Sequence, residues 1–468
     1  MREQAGIASE AVARTIAMSP ADATSATVFC EQTSLTRMAG LSVHQHVSEV
    51  TRRIYVRTVW EGREAHTHGD DLTEAGIKRL LRTSEAVAAR GRKATLQDDL
   101  ETSRERSSTA AGATGAAVSE QAAADIAGLS DRDRTLMLLQ MRDVFRRSGT
   151  NGAGNIKQQL ATLAYGDSTG TRRVANFPNL SVIAVALEPA ANASGYQCWA
   201  GSDLQALDIQ AMARKAAIRC LLGRHPKPFE PVAWPVILEP AAVAQLLFHL
   251  NFRSLGLFGA SSAIRKQNIV YDHIGESLTS KMVTLTDDTY APGMIRVPFD
   301  YEGQDRVHLP IVEAGVARGI AHDLSTARAL GATSTGHALP KGAGTGPTPQ
   351  HIVMAAGDTP AADIIATTER GILVSRLHGF VSPLSGKQGF LSGTTRDGVF
   401  LVENGKITTP IRNLRWRDRI FEAFGRIDAV SMEREMHFTD ELPFPTQTLV
   451  PTVRLSRFNF VDTQRWTE

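Results

Sequence analysis

Cysteine is scarce in this 468-residue sequence: Cys30, Cys198 and Cys220 stand far apart and form no CxxC pair. Such usage leaves no disulfide framework and fits buried, reduced thiols in a cytoplasmic protein. Long apolar runs are missing too. Nothing reaches the roughly 18–20 residues of a membrane span, and no apolar leader follows Met1, so a membrane partner is not expected. Neither sign of charge dominates, since 51 Lys and Arg stand against 49 Asp and Glu for a net charge of +2. With no long basic block, the electrostatic case for nucleic-acid binding is weak.

What is present suits a multidomain protein with one or two large cores, since 42% of residues are hydrophobic. Residues 5–17 have the pattern of an amphipathic helix, and 26–31, 41–46 and 53–60 read as strands of a small antiparallel sheet. In the last strand Ile54, Val56, Thr58 and Trp60 share one side, with Tyr55, Arg57 and Val59 on the other. A helix follows to about Arg90, with Asp71 or Thr73 as its cap. From Lys93 to Ile126 the composition shifts to Ser, Thr, Ala, Gly and charge, which predicts a mobile linker or insertion. Ser130 and Asp133 cap a one-faced helix to Gly149, residues 181–187 and 195–200 read as strands, and Asp203–Arg224 reads as the clearest helix. Four prolines between Pro226 and Pro235 make an extended link. Beyond it, 282–285, 296–299, 371–377, 398–402 and 406–411 read as short strands separated by turns. The expected fold class is α+β: an N-terminal mixed α/β domain (1–92), the linker (93–128), a continuation of the N-terminal domain (129–230) and a largely antiparallel β C-terminal domain (231–468).

The stretch Val236–Arg253 reads as a strand entering a buried helix, with Pro240 at the helix start and Val243, Leu246, Leu247 and Leu250 at helical spacing. A zinc peptidase would place two histidines one turn apart and a glutamate on such a helix; this one offers only His249. His66-Thr-His68 followed by Asp70 and Asp71 is the best remaining ligand-like cluster, because i and i+2 on a strand share a face, yet further ligands are not evident. His44-x-His46 is weaker. Gly166-Asp-Ser168-Thr-Gly170 fits GxSxG but has no helix after it and reads as a loop. Gly342, Gly344 and Gly346 lack the strand-to-helix setting of a nucleotide loop. Asp287, Asp288, Asp300 and Glu302 would serve as acid and base only if the fold brings them together. Glu403-Asn404-Gly405 reads as a hairpin turn.

Several blocks resemble the TldD/PmbA family: the N-terminal segment from Trp60 to Ala88, then 258–288, 297–304, 311–338, 351–358, 371–379 and 394–416, in family order. Catalytic members of that family are metallopeptidases that bind zinc through an HExxxH motif and a cysteine in the C-terminal domain. Laid against that motif, Phe248 falls at the first histidine, His249 at the glutamate and Arg253 at the second histidine, and no cysteine follows Cys220. The resemblance is therefore to the PmbA, or TldE, branch. It implies a chain with no catalytic or metal residue and no cofactor of its own, paired in a heterodimer with an HExxxH-containing TldD-like subunit that holds the zinc. The pair would hydrolyse unfolded peptides or peptide-like amides, with His249, Arg253, His66 and His68 as substrate-groove candidates, and the lone chain could form a homodimer. Two alternatives stay open: a stand-alone hydrolase or tailoring enzyme of a natural-product pathway, and a non-catalytic regulatory protein.

Overall fold

Two sheets organise the chain, seen in a computed structural model that describes residues 1–93, 95, 100, 120–252, 255–341, 346–381, 389–439 and 446–463. The first sheet is wholly antiparallel and contains β1 (Ala23–Ala39), β2 (Ser42–Trp60), β3 (Arg63–Gly69), β4 (Arg92–Lys93), β5 (Asn151–Asp167), β6 (Arg172–Glu188) and β7 (Ala193–Gly201). Their order is β4-β3-β2-β1-β5-β6-β7. Helices α1 (Arg2–Met18) and α2 (Glu74–Ala88) cover one end of it, and α3 (Glu120–Ala127), α4 (Asp131–Arg147) and α5 (Ile209–Leu222) the other. The faces follow the alternation of the sequence: Ile54, Val56 and Thr58 are buried, Ile54 and Val56 in the cluster that α1 and α2 share.

This sheet is far larger than the sequence suggests, and β5 was not expected at all. Its first half reads Asn-Gly-Ala-Gly-Asn, which looks like a turn, but the glycines answer to packing. A Cβ on Gly152 would lie 2.1 Å from the Phe145 ring of α4, so the helix can sit on the strand only where the side chain is missing. Gly195 does the same for α5, since a Cβ there would lie 2.0 Å from the Ala216 carbonyl oxygen. The capping box at Ser130 and Asp133 starts α4 as expected. The helix expected from Asp203 begins only at Ile209, with Asp208 as its cap, after a short 3-10 turn at Leu204–Ala206 that leaves Ala206 exposed. Most of the expected linker lies outside the described residues; its last part is α3, whose Ile126 is fully buried.

Strands β8 (Ala233–Leu238), β9 (Leu285–Asp287), β10 (Leu309–Glu313), β11 (Val316–Ala317), β12 (His351–Met354), β13 (Arg370–Val381), β14 (Phe390–Glu403), β15 (Lys406–Pro410), β16 (Leu414–Arg419), β17 (Ile427–Phe438) and β18 (Gln447–Thr463) make the second sheet. Most pairings are antiparallel; β8 with β13 and β12 with β18 are parallel. Because β8 also pairs with β18, the strands β18, β16, β14, β13 and β8 close into a ring. Helix α6 (Pro240–Asn251) emerges from β8 as the sequence predicts, and its Val243, Leu246, Leu247 and Leu250 join Val236, Val374 and Val453 in the largest core cluster. Asn404 and Gly405 both take positive φ in the hairpin joining β14 to β15.

Residues 296–299 form no ladder; Phe299 makes only an isolated bridge to Asp305. Their alternation has another cause. Ile295, Val297 and Phe299 are buried against Phe29, Leu163, Tyr165 and Phe177, so this segment is the apolar seam that docks the second half onto the first sheet. No described helix is long and apolar enough to cross a membrane.

Candidate functional site

Beside that seam lies a cavity between the first sheet and the loops of the second half. The register of β2 and β3 sets Arg57 opposite His66 and Tyr55 opposite His68, so these four side chains occupy one face of the paired strands. That is the face the sequence assigns to Tyr55 and Arg57, and the strand spacing of the histidines places both in the cavity lining. From the second half come Tyr301, Glu302, Leu339, Pro340 and Lys341. Thr27 fixes the distance between the walls: its Oγ1 donates to the Tyr301 carbonyl at 2.7 Å. Tyr55 meets Tyr301 edge to face at 5.7 Å between ring centroids.

The inner part of the cavity mixes Tyr55, Tyr165, Tyr301 and Leu324 with polar walls such as Thr27 and His68. The outer part adds Arg92, Lys93 and Arg328 and shares Arg57, His66, Glu302 and Lys341 with the inner one. Glu64 is held at the outer wall: Arg57 donates to its carboxylate at 2.6 and 3.0 Å, and His66 Nε2 lies 2.6 Å away. Burial opposes ionisation there, but the hydrogen bonds from His66 and Arg57 and the arginine charge hold the Glu64 carboxyl well below its usual range. Lys341 Nζ reaches Asp323 at 3.0 Å and Glu302 at 3.5 Å; these carboxylates outweigh burial and raise its pKa.

Asp300 and Glu302, two of the carboxylates singled out in the sequence, do lie together. Burial, then the Glu302 charge, pushes Asp300 up to about 7, although the backbone N–H groups of Glu302, Gln304 and Ala338 all donate to it. Those three bonds make Asp300 the organiser of its loop. Asp287 is not with them. It is buried in a salt bridge with Arg306 at 2.8 Å, accepts from His337 at 2.9 Å, and stays well below its usual range because the Arg306 charge and the contact with His337 outweigh its burial. Asp288 lies near His308 at 3.5 Å.

The other candidates are scattered. His249 stacks on Phe380 at 3.8 Å between centroids, and the described cavity lining contains no residue of α6. Arg253, Gly342 and Gly344 lie outside the described residues. Phe248, at the position of the first motif histidine, is buried in the hydrophobic core. Among the described residues no three His, Cys, Asp or Glu side chains are grouped to hold a metal ion. Ser168 sits in the turn between β5 and β6, where its Oγ accepts from the Thr24 N–H; a strand follows, not a helix.

One constellation was missed. Cys198 on β7 and His437 on β17 lie 239 positions apart, yet Sγ and Nδ1 are 3.0 Å apart in a buried site. Burial raises the thiol pKa, but the His437 charge and hydrogen bonds from His437 and Tyr196 bring it below its ordinary value. Burial would lower His437, and the Cys198 charge overcomes it. Neither residue has a local sequence signal; only the pairing of two distant strands could reveal the contact.

Comparison with known proteins agrees with this architecture. Residues 231–462 match the PmbA/TldA metallopeptidase C-terminal domain. A metalloprotease TldD homolog of Haemophilus influenzae is 27% identical over 232 residues, 48% of this chain and 45% of that protein. A metalloprotease of Methanocaldococcus jannaschii is 23% identical over 233 residues, 49% of each. The chain thus spans about half the length of the curated relatives it matches. In three dimensions TldE from Thermococcus kodakarensis superposes with a TM-score of 0.79 at 17% identity, covering 94% of this chain and 97% of that one, a likeness of fold. By the matched C-terminal domain, residues 231–462 belong to the PmbA/TldD family.

Proposed function

We propose that this chain is the non-metal subunit of a heterodimeric zinc metallopeptidase and that it completes a cavity for unfolded peptides or peptide-like amides. One observation carries the reading: the helix that bears the zinc motif in catalytic relatives presents Phe248 to the core and His249 to Phe380. The zinc and the water it activates belong to the TldD-like partner. This chain's contribution is the groove between β3 and residues 339–341, where Tyr55, Tyr301, His66 and His68 meet a peptide. Among the described residues β3 is paired on its outer side only at Arg63 and Glu64. The backbone from Ala65 to Gly69 therefore offers an edge to which an extended peptide adds as a strand.

The test is co-purification with an HExxxH-bearing family subunit, followed by hydrolysis assays on an unstructured peptide and zinc analysis after dialysis. A one-to-one complex that cleaves the peptide, with the zinc on the partner, supports the reading. One zinc per isolated chain, or zinc-dependent cleavage by that chain alone, overturns it.

A further inference from the structure

We propose that a second cleft, at one end of the second sheet, binds a phosphoryl group, either as free phosphate or on a phosphorylated peptide side chain. The cleft has a volume of about 380 Å³ and is built on β14, β16, β18 and the short helix Ile420–Phe424. It shares no lining residue with the cavity between β3 and residues 339–341. Its cations are all arginines, Arg417, Arg419, Arg426 and Arg457, set against the carboxylates of Asp418 and Glu422.

Asp418 is the buried hub of the cleft. Its Oδ1 accepts from the Arg419 N–H at 2.8 Å and from Arg426 at 3.0 Å, and its Oδ2 accepts from the backbone and side-chain N–H groups of Asn459 at 3.2 and 2.9 Å. Those donors saturate the carboxylate, so it has nothing to offer a further cation. Asn459 Oδ1 in turn accepts from Arg457 Nε at 3.3 Å, a bond that positions the guanidinium and leaves its terminal amino groups unbonded among the described residues. Arg417 lies over the Phe390 ring at 4.6 Å, a cation–π contact that consumes none of its N–H donors. Arg417 and Arg457 are exposed, and among the described residues neither has a carboxylate partner. Arg419 pairs with Glu422 at 2.9 Å, but in an exposed pair that an incoming anion can share at little cost.

The neighbouring sequence holds no acid to fill the gap. Residues 382–388, which lead into β14, include Lys387 and no Asp or Glu. Asp440 and Glu441 precede the start of β18, where Gln447 pairs with His351 of β12, and at the far end of β18 Thr463 pairs with Leu414, at the opposite end of β16 from Arg419. A carboxylate presents two oxygens that a single arginine fork satisfies. A phosphoryl group presents three oxygens and a charge of about −2, enough to engage Arg417 and Arg457 together.

Titration calorimetry on the full chain tests this with inorganic phosphate, acetyl-Gly-phosphoSer-Gly-amide and acetyl-Gly-Glu-Gly-amide. At low salt inorganic phosphate, the phosphoserine peptide or both should bind about tenfold more tightly than the glutamate peptide, a preference that shrinks as salt is raised. Whichever phosphate probe binds more tightly identifies the free ion or the peptide as the source. The double variant Arg417→Gln, Arg457→Gln should lose this binding and keep the wild-type urea midpoint, since both side chains are exposed. Arg417→Lys, Arg457→Lys, which keeps the charge without the forks, should recover only part of it. Arg82→Gln, Arg90→Gln removes the same charge from exposed positions on and just after α2 and should bind as wild type does. Equal affinity for the glutamate and phosphate probes, no binding of either phosphate probe, or an equal loss in the two glutamine variants overturns the proposal.

Discussion

Cys198 Sγ lies 3.0 Å from His437 Nδ1, and the contact joins the last strand of the first sheet to the second sheet. Cys198→Ala leaves a buried imidazole nitrogen without its partner. The expected cost is about 1–3 kcal/mol, read as a lower urea midpoint at neutral pH. In the folded wild type, iodoacetamide should label the buried Cys198 slowly, and labelling should accelerate near the unfolding midpoint.

Three buried histidines, His322, His337 and His351, are all shifted below their usual value, chiefly by burial, with His351 at about 3. The unfolded chain takes up a proton near pH 6.5 that folded His351 refuses until about pH 3. Between those values the unfolded state binds more protons, so stability falls as pH falls. Thermal unfolding should therefore drop steeply from pH 6.5 towards 4. Since neither ring nitrogen of His351 has a partner among the described residues, His351→Leu should flatten that profile without removing a hydrogen bond.

Asp300→Ala should be among the most damaging single changes outside the apolar core. Three backbone donors lose their acceptor, each at about 1–3 kcal/mol, so the denaturation midpoint should fall sharply. Asp300→Asn keeps an acceptor oxygen for two of them and should lose less. If the loop tolerates alanine without loss, its carboxylate is not the organiser.

Gly195→Ala drives a methyl into the carbonyl of Ala216 and must lift α5 off β7. A loss of about 3 kcal/mol or more is expected from such overpacking, measured by chemical denaturation. Ser194→Ala, one position away, removes only a hydrogen bond to Asp397 and should cost about 1 kcal/mol.

How far the sequence could be read depended on whether a residue's reason was local. Thr73, Ser130 and Pro240 begin helices for reasons contained within a turn, and each was legible. The alternation of residues 53–60 likewise separated Ile54, Val56 and Thr58 from Tyr55 and Arg57. The strand at Gly152 and Gly154 went unread, because their absence of side chain answers to Phe145 and Met141 on a neighbouring helix. Residues 296–299 misled in the opposite sense, since their apolar alternation serves docking instead of a ladder. The site divided in the same way. His66 and His68 follow from strand spacing, whereas Glu302, Tyr301 and Lys341 reach the same cavity only through the packing of one half on the other.

That packing has a thermodynamic consequence. The Thr27–Tyr301 hydrogen bond spans the two walls of the cavity, so a ligand seated between β3 and residues 339–341 binds only while the halves are docked. By mass action such a ligand opposes their separation, adding about 2.7 kcal/mol when its concentration is a hundred times its Kd. Occupancy of the groove would then set the cohesion of the whole chain, and the unfolding temperature would report on ligand even where no reaction follows.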